Sequence, residues 1–194
     1  VVQVDIPIVG DAKNVLKNLI LQSAKKTHIP WLKHLQKNKE GHPVPDKFTV
    51  NHNPTGKTGR LNPAYVLNQI REANPPDARI VSDVGQNQMW VAQHYHFTKF
   101  NTHITSGGLG TMGFAIPAAS GVKFACPDNT VWAICGDGGF QMTFQQLGTI
   151  MQECQEIKIA LFNNGFLGMV RQWQELFFKK RYSLTGAMTW QDPE

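Results

Sequence analysis

One carboxylate and one carboxamide, Asp137 and Asn164, stand 27 residues apart, each just behind a short apolar run (Thr130–Cys135 and Ile157–Phe162). That separation is the length of one helix plus one strand. It predicts that the two side chains leave neighbouring strand ends and face one crevice with an anionic and a neutral oxygen. Hard divalent cations such as Mg²⁺ or Ca²⁺ take oxygen ligands of this kind, and Mg²⁺ completes its octahedron with water and substrate phosphates. Four segments supply the phosphate side of such a site: Val84-Gly-Gln-Asn-Gln88, Ser106-Gly-Gly-Leu-Gly-Thr-Met-Gly113, Gly136-Asp-Gly-Gly139 and Asn163-Asn-Gly165. Glycine lets backbone N–H groups approach an anion closely, and a helix N-terminus behind it adds a favourable dipole. Gly and Asn are also the ordinary residues of turns, but four such segments at successive strand ends point to a metal-bridged diphosphate.

The elements that would position them read as alternating strand and helix. Asn62-Pro63 pairs an N-cap with proline at the first helical position and predicts a helix to about Ala73. Strands are expected at Ala78–Ser82, His103–Thr105, Thr130–Cys135 and Ile157–Phe162. Helices are expected at Gln88–Tyr95, through Ala115, Ala118, Val122 and Phe124, and at about Leu167–Phe178. Thr143 and Gln146 read as a capping box for a helix burying Phe144, Leu147, Ile150, Met151 and Cys154. This alternation predicts an α/β fold: a parallel sheet with helices on both faces, a three-layer arrangement whose ligands sit at the carboxyl ends of the strands. Ahead of it, Val1–Asp11 alternates like a strand, and Val15, Leu16, Leu19 and Ile20 carry a helical spacing. We expect residues 1–24 to end a central domain, 25–60 to be a linker, and 61–194 to form the catalytic domain, incomplete at its C-terminus.

Composition narrows the partners. Residues 1–60 hold ten Lys and Arg against four acids, a net +6, whereas residues 61–194 hold nine against ten, a net −1. The basic excess lies in the polar connecting region, the reverse of what a nucleic-acid groove requires. No apolar run approaches the roughly 20 residues of a membrane helix, and no basic-then-apolar leader opens the chain. Three widely spaced cysteines (Cys126, Cys135, Cys154) form no C-x-x-C pair and read as buried thiols of a reducing compartment.

Gly136-Asp-Gly138 followed by Asn163-Asn164 resembles the thiamine-diphosphate motif. The strings Thr105-Ser-Gly-Gly-Leu-Gly-Thr-Met-Gly113 and Leu167-Gly-Met-Val-Arg-Gln-Trp173 resemble the large catalytic subunit of the acetohydroxyacid synthase (acetolactate synthase) family. The resemblance implies the thiamine-diphosphate-binding fold. It implies Mg²⁺ on Asp137, the Asn164 side chain and the Phe166 backbone carbonyl, with Gly85, Gln86, Asn87, Gly136, Gly138 and Gly139 around the diphosphate. Asn87 stands where the family often has histidine. Gly110 would offer its carbonyl to the pyrimidine amino group and Met112 would hold the cofactor bent, while Met169, Val170 and Trp173 would line an acceptor pocket. Read on their own, Met112 and Met169 fit core methionines, and Trp173 fits helix packing.

The implied reaction is decarboxylation of pyruvate and condensation with pyruvate or 2-ketobutyrate, giving 2-acetolactate or 2-aceto-2-hydroxybutyrate in branched-chain amino acid biosynthesis. The resemblance further implies FAD bound mostly outside this chain, a homodimer or tetramer with the active site at the subunit interface, and a regulatory small subunit. It implies a cytoplasmic location in a bacterium or archaeon and an organellar one in a eukaryote. The family's proton-relay glutamate comes from a partner's amino-terminal domain. Glu40, Glu72, Glu153, Glu156, Glu175 and Glu194 stand in no matching motif, so the chain is expected to be a fragment holding half a site. Alternatives are another thiamine-diphosphate enzyme of 2-keto acids (pyruvate oxidase, decarboxylase, glyoxylate carboligase), a non-catalytic relative, or a dinucleotide oxidoreductase. The last rests on Gly108-Leu-Gly110-Thr-Met-Gly113, with Asp128 at the spacing of the ribose-binding acid. His94 and His96, two apart, read as surface or packing histidines.

Overall fold

A computed structural model describes residues 3–41 and 60–186. The chain divides into two compact units, Val1–Pro43 and Val44–Glu194.

The first unit holds two helices, α1 (Ala12–Gln22) and α2 (Ile29–Gly41). Asp11 caps α1 by accepting from the Asn14 N–H at 3.0 Å, and the apolar stripe Leu16, Leu19, Ile20 stands exposed. Residues 3–10 form no strand, contrary to expectation, and Val4, Ile6, Ile8 and Val9 are exposed. Alternation makes a strand only where a second strand completes the backbone ladder, and among the described residues none pairs with this segment. The expected linker at 25–60 begins with a helix instead. Lys, Gln, Glu and Leu are good helix formers, and Pro30 sits in the first turn where its missing N–H costs nothing. Gln36 donates to Glu40 at 3.1 Å and Trp31 stacks on His34 at 5.7 Å, both at helical spacing. Residues 42–59 of that expected linker, the chain's first two residues and residues 187–194 lie outside the described residues.

The second unit is an α/β fold on a four-stranded, wholly parallel sheet: β1 (Arg79–Ser82), β2 (His103–Thr105), β3 (Val131–Gly136) and β4 (Ile157–Phe162), in the order β2-β1-β3-β4. The central strands β1 and β3 are almost entirely buried, as continuous apolar runs in parallel sheets are. Side-chain alternation builds a core on each face. Ile80 and Ile134 pack with Leu67 and Ile70 of α3 (Pro63–Glu72) and with Val91 of α4 (Gln86–His94). Val81, Ala133 and Cys135 pack on the other face with Ala115, Ile116 and Ala119 of α5 (Ala115–Ala125). Right-handed crossovers that step outward in opposite directions place their helices on opposite faces. The strand order therefore reverses between β1 and β3, and a crevice opens there at the carboxyl ends.

Asn62 caps α3, its side chain accepting from the Ala64 N–H at 3.0 Å. Asn62→Ala is expected to cost about 1 kcal/mol, read as a lower denaturation midpoint, with Asn62→Ser restoring most of it.

Past β3 the chain enters α6 (Asp137–Thr143) without a break, then one 3₁₀ turn (Phe144–Gln146) and α7 (Leu147–Gln152). The expected capping box is absent. The Thr143 hydroxyl donates to the Gly113 carbonyl at 2.8 Å, a tertiary partner that outcompetes the local one. The 3₁₀ turn also shifts the helical phase, so Ile150 is buried while Phe144, Met151 and Cys154 are exposed. α8 (Gly168–Phe177) follows β4.

Candidate functional site

The register fixes the site. Gly136 pairs with Phe162, so Asp137 and Asn164 leave adjacent strands one and two residues beyond the last paired position. Neighbouring strands run about 4.8 Å apart, and both side chains line one cavity of about 260 Å³ at the reversal between β1 and β3. All four segments singled out above contribute to it: Gly85, Gln86 and Asn87 behind β1, Gly110 and Met112 behind β2, Gly136–Gly139 behind β3, and Asn164, Phe166, Met169 and Val170 behind β4. Trp173 is not in this cavity. It lines a more open one of about 620 Å³ with Gln174, Phe178 and Arg181, which shares Met169 and Val170 with the first.

Two aspartates stand at equivalent places and differ in what satisfies them. Asp83, one residue past β1, is 1% exposed. Its carboxylate accepts from the N–H groups of Val84 (2.8 Å), Gly113 (3.1 Å) and Ala115 (3.0 Å). Asp137, one residue past β3, is 8% exposed, and among the described residues nothing donates to its carboxylate. A buried carboxylate without partners is costly unless a cation or donor completes it. Among the described residues no group of three His, Cys, Asp or Glu side chains could hold a metal. The available donors around Asp137 are therefore amide and carbonyl oxygens, the set a hard cation takes.

The amide of Asn164 is oriented. Its Nδ2 donates to Gln86 Oε1 at 3.2 Å, which turns Oδ1 the other way, and Oδ1 accepts the Phe166 N–H at 2.9 Å with a lone pair to spare. Gln86 donates in turn to Gln172 Oε1 at 3.0 Å and so ties this amide to α8. A strap holds α8 from the far side. Gln174 bonds the backbone of Ser183 and the Thr185 hydroxyl, Leu167 N–H donates to Thr185 O at 2.8 Å, and Arg171 lies between the rings of Phe166 (4.0 Å) and Tyr182 (4.4 Å).

The glycines are required by contact. Gly85 opens α4 at φ +108°, ψ −155°, a region essentially closed to other residues, and no side chain caps that helix. A Cβ on Gly138 would lie 3.0 Å from Leu167 and 3.4 Å from Met112 Cε, so Met112 reaches from the β2 loop to the β3 turn. Asn87 is buried, and its amide donates to the carbonyls of Asp83 (2.8 Å) and Ile134 (3.4 Å), bridging β1 and β3 where the crevice opens.

Asp83 was absent from the residues chosen by sequence. Its signal, an acid closing an apolar strand, is the one that marked Asp137. Gln172 and Gln174 carried no local signal. Asp128, the acid of the dinucleotide alternative, sits in the turn before β3, at the opposite end of the strands from the cavity.

Burial, reinforced by the Asp83 carboxylate, pushes the Cys135 thiol up to about 12. Cys135 is therefore expected to resist a disulfide reagent at pH 8 while exposed Cys154 reacts, as a thiol count on native and unfolded protein would show. The unfolded chain ionises this thiol first, so its contribution to stability is full below about pH 9 and is lost as pH rises towards about 12. Burial lowers His103, whose ring stacks on Phe97 at 4.8 Å and meets Ser82 Oγ at 3.0 Å.

The profile of the thiamine pyrophosphate enzyme C-terminal TPP binding domain matches residues 83–194. The chain is 47% identical over 192 residues to the acetolactate synthase of Mycobacterium bovis, covering 95% of this chain and 30% of that protein. It is 46% identical over 187 residues to the acetolactate synthase large subunit of Lactococcus lactis subsp. lactis (94% and 31%). It is 52% identical over 120 residues to the acetolactate synthase isozyme 2 large subunit of Escherichia coli (62% and 22%). The chain thus spans about 30% of the length of the relatives it matches along nearly its whole extent. With Asp137, Asn164 and the glycine turns lining one cavity inside the matched residues, the chain belongs to the thiamine pyrophosphate enzyme family, of which it carries the C-terminal TPP binding domain.

Proposed function

We propose that the protein containing this chain is an acetolactate synthase-type transferase, which decarboxylates pyruvate and joins the remaining two-carbon unit to a second 2-keto acid. The observation that carries the reading is the carboxylate of Asp137, which receives no hydrogen bond from the described residues and lines the same cavity as Asn164. In this reading Asp137, Asn164 Oδ1 and the Phe166 carbonyl hold Mg²⁺. Asp137 brings the charge, Gln86 fixes the amide orientation, and the Arg171 guanidinium on the Phe166 ring steadies the third donor. Backbone N–H groups near Gly85, Gln86, Gly138 and Gly139 hold the diphosphate oxygens, with Asn87 and Gly136 closing the turn behind them. The Gly110 carbonyl would accept from the pyrimidine amino group of the cofactor, and Met112, which lines the same cavity, would pack against it. Thiamine diphosphate supplies the electron sink that lets CO₂ depart. The chain's part is to orient that sink, neutralise the diphosphate and keep water away from the reacting carbon.

Met169 and Val170, shared by the two cavities, together with Trp173, which is 57% exposed, form the acceptor side. Their apolar surface suits 2-ketobutyrate over pyruvate by the value of one methylene, about 1–3 kcal/mol. None of the chain's described glutamates lines the cavity, which supports a proton-relay glutamate supplied by the partner subunit of a dimer or tetramer. The relatives' description as large subunits supports a small-subunit partner. FAD is assigned mostly outside this chain's span, and nothing above depends on it. We assign residues 1–24 to the end of a central domain and 61–194 to the catalytic domain. Among the described residues no helix is long and apolar enough to cross a membrane, and a cytoplasmic location is proposed for a bacterial or archaeal source.

The test is product analysis with pyruvate, with and without 2-ketobutyrate. The intact protein with thiamine diphosphate and Mg²⁺ should form 2-acetolactate and 2-aceto-2-hydroxybutyrate, and the 194-residue chain alone should form neither. Acetaldehyde or peroxide as the main product would move the assignment to a decarboxylase or oxidase, and acetolactate from the isolated chain would overturn the shared-site reading.

A further inference from the structure

The turn after β2 is held in place almost entirely from outside itself. Leu109 is 91% exposed, and a Cβ added at Gly107, Gly108 or Gly110 would meet nothing within 4 Å. Within the turn, the Gly107 N–H donates to the Thr105 carbonyl (3.0 Å) and a single bond from the Thr111 N–H to Ser106 Oγ (3.1 Å) reaches across it. Its far end is fixed on both sides of Gly113. The Gly113 N–H donates to Asp83 Oδ1 at 3.1 Å and the Ala115 N–H to Asp83 Oδ2 at 3.0 Å. The Gly113 carbonyl accepts the Thr143 hydroxyl at 2.8 Å. Gly113 itself sits at φ +82°, and a Cβ there would come within 2.8 Å of Thr143 Cγ2, so the residue lies wedged between β1 and α6.

We propose that Asp83 is a positioning residue for the cofactor reaction, acting with Thr143 through Gly113 to set where the Gly110 carbonyl and the Met112 side chain stand in the cavity. This rests on the thiamine diphosphate reading of the site. Asp83 touches none of the groups that would hold the metal. Its two oxygens fix the pyrimidine-side wall, and its bond to the Val84 N–H fixes the start of the diphosphate-side turn. One buried carboxylate thus sets the spacing between the walls that must hold the two ends of the cofactor. Removing the Thr143 pin, which touches only the Gly113 side, should leave the diphosphate contacts intact and spoil the angle at which the pyrimidine is presented.

Three variants of the intact protein test this: Thr143→Val, which keeps the shape and drops the hydroxyl; Thr143→Ser, which keeps the hydroxyl; and Asp83→Asn, which turns an N–H against N–H donors. In cofactor-free protein, amide hydrogen exchange over residues 107–115 should rise by about fivefold to tenfold in Thr143→Val and further in Asp83→Asn. At saturating thiamine diphosphate and Mg²⁺, kcat of Thr143→Val should fall by about tenfold or more, with cofactor Kd and pyruvate KM within about threefold of wild type. Thr143→Ser should restore both readouts. Unchanged exchange in Thr143→Val overturns the pin. A loss of kcat matched by an equal loss of cofactor affinity, or only by loss of folded protein, overturns the positioning role. Wild-type protein that binds no thiamine diphosphate overturns the functional reading instead, a result that the exchange measurement does not depend on.

Discussion

Asp137→Ala in the intact protein is expected to weaken Mg²⁺-supported binding of thiamine diphosphate by more than about 100-fold, since even residues one step removed from a metal cost 10–100-fold, and to abolish acetolactate formation. The same substitution is expected to leave the stability of the cofactor-free protein within about 0.5 kcal/mol of wild type. Its carboxylate opens into the cavity and receives no hydrogen bond from the described residues, so removing it strands no donor. A large loss of binding with little change in stability is what a site residue gives and a structural residue does not. Asp83→Ala supplies the contrast. That carboxylate is as deeply buried but carries three N–H donors, so its removal strands them and should destabilise by about 3 kcal/mol. Calorimetric titration of Mg²⁺ with the cofactor, alongside thermal unfolding without either, separates the two. Equal destabilisation by both substitutions would remove the case for a metal at Asp137.

The contrast also shows where sequence stops informing. An apolar strand closed by an acid is visible at both Arg79–Ser82 and Val131–Gly136, yet nothing in the local sequence says which acid will be satisfied. Two of the three donors for Asp83 come from residues 30 and 32 positions away, across a crossover helix. The strands themselves were legible to within about a residue, because a doubly covered parallel sheet demands continuous apolar runs and the turns that follow are marked by glycine and asparagine. Thr143 was misread for the same reason that Asp83 was missed. Its capping spacing was real, but the Gly113 carbonyl reached it first. Residues 3–10 failed as a strand because alternation states a preference that only a partner strand can realise. Helix α2 was hidden by a composition of Lys, His and Asn that reads as solvated linker, although helix propensity and spacing-four pairs such as Gln36 with Glu40 were present.

Gly139→Ala is expected to cause a large loss of stability within the site itself, and Asp83 is the reason. A Cβ at Gly139 would stand 2.8 Å from Asp83 Oδ1 and 2.9 Å from its Cγ, closer than real Cβ atoms come. Where the obstacle is the end of a flexible side chain, the neighbour swings aside at little cost. Here it is a 1%-exposed carboxylate held by Val84, Gly113 and Ala115. Either α6 backs away from the sheet or these bonds lengthen. Overpacking of this kind costs about 1–3 kcal/mol, and weakening bonds to a charged group adds about 1.5–3 kcal/mol. Against this stands the gain of about 1 kcal/mol that alanine brings over glycine in a helix, leaving a net loss near ~3 kcal/mol. Gly121→Ala isolates that gain: Gly121 lies within α5, a Cβ there meets nothing within 4 Å, and the variant should be more stable by up to about 1 kcal/mol. Glycine at 139 is thus needed for the carboxylate behind it, whatever its role toward the proposed diphosphate. The double variant Gly139→Ala/Asp83→Ala should therefore fall short of the sum of its parts by at least about 1 kcal/mol. Additive losses in thermal unfolding would mean that the two residues do not press on each other.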